Sequence, residues 1–291
     1  MEMYQEHHRM FHSLSPTRLF FRCAVPSMIS MAFSSLYMIA DGIFVGRFLG
    51  SQALAAVNLV MPIIIMSFAI SDMVAVGSAV QISIALGRKD TQKANQLFSF
   101  ACSIIFVISC IVCLLGLCLA PALVSLLGST GMVANLATQY LRVYAGFSPV
   151  IMCFFAVDNY LRICGKVKYS MAMNVFISIS NILLDALFLG FFHFGIASAA
   201  VASCICLTSG SIICFYPFLR KKLILRFVRF KISPKIIRNI FANGSSEFFS
   251  NISSSVCMVL FNSVLLHLSW SPPSVPRQSC RSCCKAVGPD S

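Results

Sequence analysis

Long apolar stretches separated by short polar connections recur along the sequence from residue 19 onwards. Each stretch can form a membrane-spanning helix, which needs roughly 20 largely apolar residues. The pattern predicts seven such helices, at residues 19–46, 53–86, 94–119, 133–161, 169–192, 196–219 and 236–268. The chain is therefore predicted to be an all-α membrane protein with a six-helix transmembrane bundle followed by a seventh helix.

Polar residues are phased along three of these helices. Helix 1 carries Ser27, Ser30, Ser34, Tyr37 and Asp41; helix 5 carries Ser170, Asn174, Ser178, Asn181 and Asp185; helix 7 carries Asn243, Glu247, Ser250 and Ser254. Steps of three and four residues place each set on one helix face. We therefore predict a wet cavity, with Ser34, Tyr37, Asn174, Ser178 and Glu247 as candidate lining residues.

Asp41 and Asp185 are the strongest functional candidates in these sets. An Asp at the centre of a membrane helix costs about 2.5 to 3.5 kcal/mol, so such a residue usually faces protein or water and has a function. Counted from the predicted helix ends, the two residues differ in depth by ~3 Å at 1.5 Å per residue. Paired carboxylates in a low dielectric favour the protonated form and release the proton when a cation takes its place. This exchange is antiport, and it needs H⁺ or Na⁺ but no cofactor.

Two further acidic residues within the apolar spans have simpler explanations. Asp158 precedes Arg162 by one helical turn, which predicts an ion pair of i,i+4 spacing near a membrane surface. Asp72 lies in the second helix, where a buried hydrogen-bonded role and a functional role both remain open.

The composition excludes an ordinary soluble domain. Charged residues make up 11% of the chain and hydrophobic residues 58%, whereas soluble domains have about 25% charged residues. The net charge of +13 does not indicate nucleic-acid binding, because most Lys and Arg residues lie in alternate loops. The positive-inside rule then predicts a multi-pass protein of the plasma or inner membrane with a cytoplasmic N-terminus. Most cysteines fall in or beside apolar helices, so we expect no disulfides.

The predicted organisation has five parts. They are a cytoplasmic leader (1–17), the six-helix bundle (18–219), a basic cytoplasmic loop (220–235), the seventh helix (236–268) and a disordered tail (269–291). The tail contains the run CRSCC, but without a spaced partner pair or a nearby His it does not indicate a metal site.

Several runs carry a family resemblance. PSMISMAFSSLYMIADGIFVGRFLGSQALAAVNLVMPI resembles the first two helices of the multidrug and toxic compound extrusion (MATE) transporters. YLRVYAGFSPV, NYLRICGKVKYSMAMNVFISISNILLDALF and GIASAAVASCI resemble their fourth to sixth helices. The resemblance implies an exporter of two six-helix bundles that expels small cationic amphipathic drugs in exchange for H⁺ or Na⁺. It places the coupling site at Asp41, Asn181, Asp185 and Thr208, and relates Glu247 to the helix 7 acid of some members.

The sequence departs from the family pattern by stopping after helix 7. We therefore expect a truncated member whose tail is foreign to the family and whose transport needs a second bundle or a second copy in trans. Without that second wall, helix 7 is expected to be poorly anchored.

Three alternative functions remain to be compared. A lipid-linked sugar flippase of the related superfamily would be favoured by basic residues in the cavity, but the spans are nearly free of Lys and Arg. An intramembrane enzyme is disfavoured, because no span contains HExxH, GxSxG or paired catalytic His residues. An inert membrane fragment is the third alternative.

Overall fold

The structure is a computed structural model that describes residues 15–192, 194–220, 223–230 and 234–270. Within these residues the chain forms seven helices: α1 (Pro16–Phe44), α2 (Ser51–Gly87), α3 (Thr91–Leu126), α4 (Gly131–Ile163), α5 (Val167–Asp185), α6 (Ile196–Leu219) and α7 (Pro234–Trp270). The first six are long and apolar enough to cross a membrane. The predicted all-α membrane fold is therefore confirmed. Most of the predicted leader (1–14) and nearly all of the predicted tail (271–291) lie outside the described residues.

The largest boundary error concerns α3, which continues seven residues beyond the predicted end at residue 119. Pro121 lies inside this helix, in a stretch read from the sequence as a connection. Ala120 and Val124 are buried in an apolar cluster that includes residues of α4, and this packing keeps the helix continuous. The turn forms only at residues 127–130, where Gly128 adopts a φ of 76° that favours glycine.

Aromatic residues hold together the ends of the bundle formed by the N-terminus of α3 and the C-termini of α4 and α6. The ring of Phe98 lies 5.2 Å from Tyr160 and 5.2 Å from Phe218, measured between centroids. The Tyr160 hydroxyl in turn lies 2.7 Å from Ser78 Oγ on α2. Four helices are therefore fixed to one another at this end of the bundle.

Helix α7 packs closely against α2, so the expectation of a poorly anchored seventh helix is wrong for the described residues. A Cβ atom on Gly77 would lie 2.0 Å from the carbonyl oxygen of Ile240, and one on Gly244 would lie 2.0 Å from that of Met73. Small residues of this kind let two helix backbones touch. Further along the pair, Asn262 Nδ2 donates to the carbonyl oxygen of Asn58 at 2.9 Å.

Residues 223–230, here called the strap, run without helix or strand across the start of α3. The backbone N–H of Arg226 donates to Asn95 Oδ1 at 2.9 Å, and that of Val228 donates to Ser99 Oγ at 2.8 Å. Because Asn95 and Ser99 lie one helical turn apart, α3 offers acceptors to alternate residues of the strap. Leu223 and Leu225 of the strap are themselves buried.

Candidate functional site

The C-terminal ends of α1 and α5 share an irregular backbone. Helix α1 continues into a π-helical turn at Val45–Leu49, and α5 continues into one at Ala186–Phe191. The same residue pattern, D-x-x-F-x-G-x-F, covers both ends, with Asp41, Phe44, Gly46 and Phe48 matching Asp185, Phe188, Gly190 and Phe192. π-helical turns are rare, and those that occur are frequently found at functional sites. The shared pattern marks the two aspartates as equivalent positions.

A glycine allows these two ends to meet. A Cβ atom on Gly190 would lie 3.5 Å from the ring of Phe48, so that ring rests directly on the backbone of the α5 end. Asp41 lies one helical turn before the first π-helical turn, and Asp185 is the last residue before the second. The contact between the two ends therefore brings these two carboxyl groups together.

Asp41 and Asp185 lie close enough for their carboxyl groups to share a hydrogen bond when one of them is protonated. Asp185 is 0% exposed and Asp41 is 8% exposed. Two ionised carboxylates have no proton to donate, and Asp41 Oδ1 and both oxygens of Asp185 have no donor among the described residues. A shared proton or a bound cation would satisfy these oxygens.

An amide and a hydroxyl extend the site. Asn181, one turn before Asp185, donates from Nδ2 to Ser203 Oγ on α6 at 2.8 Å. Its own Oδ1 is buried without a donor in the described part of the chain. Oxygen atoms of this type suit a proton or a hard cation. The described residues contain no group of three or more His, Cys, Asp or Glu side chains that could hold a metal ion.

Three tyrosines border the acid pair. Tyr37 on α1 lies near both carboxyl groups, and Tyr144 on α4 lies near Tyr37, near Asp41 and within reach of Ser203. The rings of Tyr140 and Tyr144 have centroids 5.2 Å apart. The α4 tyrosines and Ser203 were missed in the sequence, because neither α4 nor α6 carries a phased polar stripe. The only signal available in the sequence was that Ser203 is a polar residue within the apolar stretch of α6.

The other predicted site residues lie in several different environments. Thr208 Oγ1 is buried and has no hydrogen-bond partner among the described residues. Ser178 is buried and donates to the carbonyl oxygen of Asn174 in its own helix, whereas Ser34 on α1 is partly buried. Glu247 on α7 lies near Asp72 on α2.

Asp158 has a complete set of partners. Arg162 donates to its Oδ2 at 2.8 Å, as the i,i+4 spacing predicted. Ser170 and Asn174 both donate to its Oδ1, the latter at 3.1 Å. Arg162 also donates to Ser170 and, at 3.4 Å, to Ser27 on α1. The first half of the polar stripe on α5 thus serves this ion pair, and only its second half reaches the acid pair.

Asp72 is intermediate between these two cases. Its Oδ2 accepts one long hydrogen bond, 3.3 Å, from Asn251 Nδ2 on α7. Among the described residues the carboxyl group has one neutral donor, which links it to the α2–α7 contact, and Glu247 is a nearby acidic neighbour.

The comparisons with known proteins agree with this architecture. The family model described as MatE matches residues 26–187. Two similar relatives are the multidrug export proteins MepA of Staphylococcus saprophyticus and of Staphylococcus aureus strain NCTC 8325. The first is 27% identical over 241 residues, covering 82% of this chain and 53% of the relative. The second is 25% identical over 248 residues, covering 84% and 54%. The chain spans about half the length of these relatives.

Solved structures give the same result. A MATE transporter crystallised in complex with MaD3S superimposes with a TM-score of 0.82 at 26% identity, covering 92% of this chain and 60% of that one. An outward-facing MATE transporter of the MOP superfamily gives a TM-score of 0.79 at 27% identity, covering 84% and 55%. With the family model matching more than half of its 291 residues, this chain belongs to the MatE family of membrane transporters.

Proposed function

We propose that this chain provides the ion-coupled bundle of an exporter that exchanges H⁺ or Na⁺ for small cationic, amphipathic drugs. The observation that carries the proposal is the buried pair of Asp41 and Asp185, whose oxygens lack donors among the described residues. The similarity to multidrug export proteins named MepA supports the class of substrate. Because those relatives are about twice as long, we propose that a second bundle, in the same polypeptide or in trans, completes the drug pathway.

The chemical step is competition for one set of oxygens. A proton shared by Asp41 and Asp185 neutralises half of the charge of the pair and supplies the missing donor. An incoming cation replaces that proton. Once the proton has left, the pair holds two negative charges, and the bound cation balances them in the low dielectric. Binding a cation therefore releases a proton, which is the elementary event of antiport.

The supporting ligands follow from the same arrangement. The free Oδ1 of Asn181 is positioned to accept from a proton donor or to bind a cation beside Asp185. Ser203, which contacts Asn181, is a better supported hydroxyl ligand than Thr208, five residues further along α6. Tyr37 would orient the charged species. Among the described residues, each acid of the pair has the other acid as its charged neighbour and no Lys or Arg acts on either, which disfavours the flippase alternative.

The proposed orientation follows the distribution of cations. The ion pair of Asp158 and Arg162 lies toward the end of the bundle that carries the basic loops, which we propose is cytoplasmic. The acid pair lies at the other end of the bundle, near the C-terminal ends of α1 and α5. Antiport would then require these carboxyl groups to become accessible from each side in turn, with the polar cluster around Asp158 between them and the cytoplasm.

Proton release on cation binding tests the proposal directly. The full chain, purified in detergent and held in weakly buffered solution with a pH indicator dye, should release protons when Na⁺ or the fluorescent organic cation ethidium is added. Asp41→Asn and Asp185→Asn should each abolish the release. The double variant should be little worse than either single one, as expected for residues that act as a unit.

Asp72→Asn is the matched control, because it removes another carboxyl group within the bundle that has its own donor. This variant should release protons as the unmodified chain does. The proposal is wrong if neither cation releases protons from the unmodified chain, or if either single variant of the acid pair behaves normally. Gradient-driven ethidium uptake into liposomes, with and without a co-expressed second bundle, then tests transport itself.

A further inference from the structure

We propose that the strap (residues 223–230) is a binding site for the headgroups of anionic phospholipids. The strap crosses the membrane-edge ends of three spans: its backbone bonds to α3 through Asn95 and Ser99, and its Phe227 ring lies 4.8 Å from Phe98. Phe98 itself packs on Tyr160 of α4 and Phe218 of α6. The strap therefore lies where the hydrocarbon of a bilayer gives way to its headgroups.

The two halves of the strap differ in burial. Leu223 and Leu225 are buried against the bundle, whereas Phe227 and Val228 are 46% and 38% exposed. Arg226 and Arg229, which flank these two apolar residues, are exposed. An exposed surface that mixes aromatic, aliphatic and arginine side chains matches the chemistry of a membrane interface, where rings lie at headgroup depth and cations meet phosphates.

The surrounding charge is strongly positive. Exposed cations at the same end of the bundle are Arg18, Arg22, Arg88, Lys89, Lys93, Lys168, Arg220 and Arg238. The acidic side chains described there are already engaged: Asp90 accepts from the backbone N–H of Lys93, and Asp158 pairs with Arg162. At the opposite end the described exposed cations are Arg47 and Arg142. Charge complementarity therefore favours an anionic partner at the strap.

The shape of the site selects a lipid among anionic partners. Hydrogen bonds hold the strap backbone against α3, and the two arginines flank exposed apolar side chains that a soluble polyanion would leave in water. A phospholipid satisfies both features, because its phosphate meets the arginines while its glycerol and upper acyl carbons cover Phe227 and Val228. Each arginine near an anionic membrane surface contributes a factor of about five in affinity.

Lipid titration of the full chain in detergent, followed by native mass spectrometry, tests this site. Phosphatidylglycerol should bind the unmodified chain more tightly than phosphatidylcholine does. Arg226→Gln and Arg229→Gln should each weaken phosphatidylglycerol binding about fivefold, and the double variant roughly 25-fold. Phosphatidylcholine binding should not change. Arg226→Lys with Arg229→Lys, which keeps both charges, should retain most of the affinity.

The matched control removes the same charge elsewhere. Arg47→Gln with Arg142→Gln, at the opposite end of the bundle, should leave phosphatidylglycerol binding unchanged. The proposal is overturned if the strap variants bind phosphatidylglycerol like the unmodified chain, or if the control weakens binding equally, since net charge alone would then decide. It is also overturned if soluble glycerol phosphate displaces the lipid at equal concentration. Melting curves in lipid-free detergent show that each variant is folded before titration.

Discussion

Asp158 and the pair formed by Asp41 and Asp185 are the same kind of side chain in the same bundle, yet their surroundings are opposite. Asp158 receives hydrogen bonds from Arg162, Ser170 and Asn174. Asp185 is fully buried, and neither of its oxygens has a donor among the described residues. The fold itself supplies the hydrogen-bond donors of the Asp158 carboxylate. The pair of Asp41 and Asp185 needs a proton or a cation that the fold does not supply.

This difference separates a structural acid from a functional one. A buried charge is tolerated when it is paired and hydrogen-bonded, and removing one partner of such a pair typically costs 3–5 kcal/mol. A buried polar group without partners costs about 1–3 kcal/mol for as long as it persists. The stabilities of variants at the two sites should therefore change in opposite directions.

The largest effect is expected at Arg162. Arg162→Gln leaves the Asp158 carboxylate without its cation, so the free energy of unfolding should fall by about 3 kcal/mol, the low end of the range because Ser170 and Asn174 still donate. Unfolding in detergent, followed by circular dichroism, measures the change. Pairing the substitution with Asp158→Asn should recover part of the loss, and no recovery would contradict a specific ion pair.

An effect of opposite sign is expected at the acid pair. Asp185→Asn places a permanent amide donor beside Asp41, whereas the unmodified pair needs a bound proton or cation to satisfy its oxygens, so stability should rise by about 1–3 kcal/mol. The same unfolding assay applies. Asp158→Asn is the matched control and should destabilise the chain, because it leaves Arg162 unpaired. If both substitutions shift stability in the same direction, the distinction between the two sites fails.

The smallest effect is expected at Asn251, which donates the 3.3 Å hydrogen bond to Asp72. A hydrogen bond between membrane helices is worth about 0.6 kcal/mol on average, so Asn251→Ala should lower stability by about that amount. Comparing it with Asn262→Ala, which removes a bond to a backbone carbonyl, shows whether Asp72 adds anything beyond ordinary helix contact. A loss above about 2 kcal/mol would move Asp72 into the class of Asp158.

The sequence predicts what depends on local spacing. The first six helices and the pairing of Asp158 with Arg162 follow from apolar length and from i,i+4 geometry, and the phased stripes on α1 and α5 indicated a common depth for Asp41 and Asp185. The seventh helix was also predicted to span the membrane, but among the described residues the six helices before it are the ones long and apolar enough to do so. The roles assigned to Thr208 and Glu247 remain predictions. What the sequence does not predict depends on which helices touch.

The α2–α7 contact illustrates this limit. Gly77 and Gly244 are unremarkable as isolated glycines in apolar helices, and only the crossing of the two helices makes both of them necessary. The strap was read as a basic loop, because its alternating apolar residues become visible as a pattern only when α3 provides the surface beneath them. Ser203 similarly gains its place at the site through the packing of α6 on α5.

The π-helical turns at Val45–Leu49 and Ala186–Phe191 also bear on insertions and deletions. Each residue of an α-helix turns the chain by about 100°, so deleting one residue from either turn would rotate every later side chain by roughly that angle. Phe48 would then leave the backbone of Gly190, although every residue of the acid pair would still be present. The spacing of the two carboxyl groups is thus encoded in the number of residues that follow them. Length changes in these two short segments should be as damaging as substitution of the aspartates themselves.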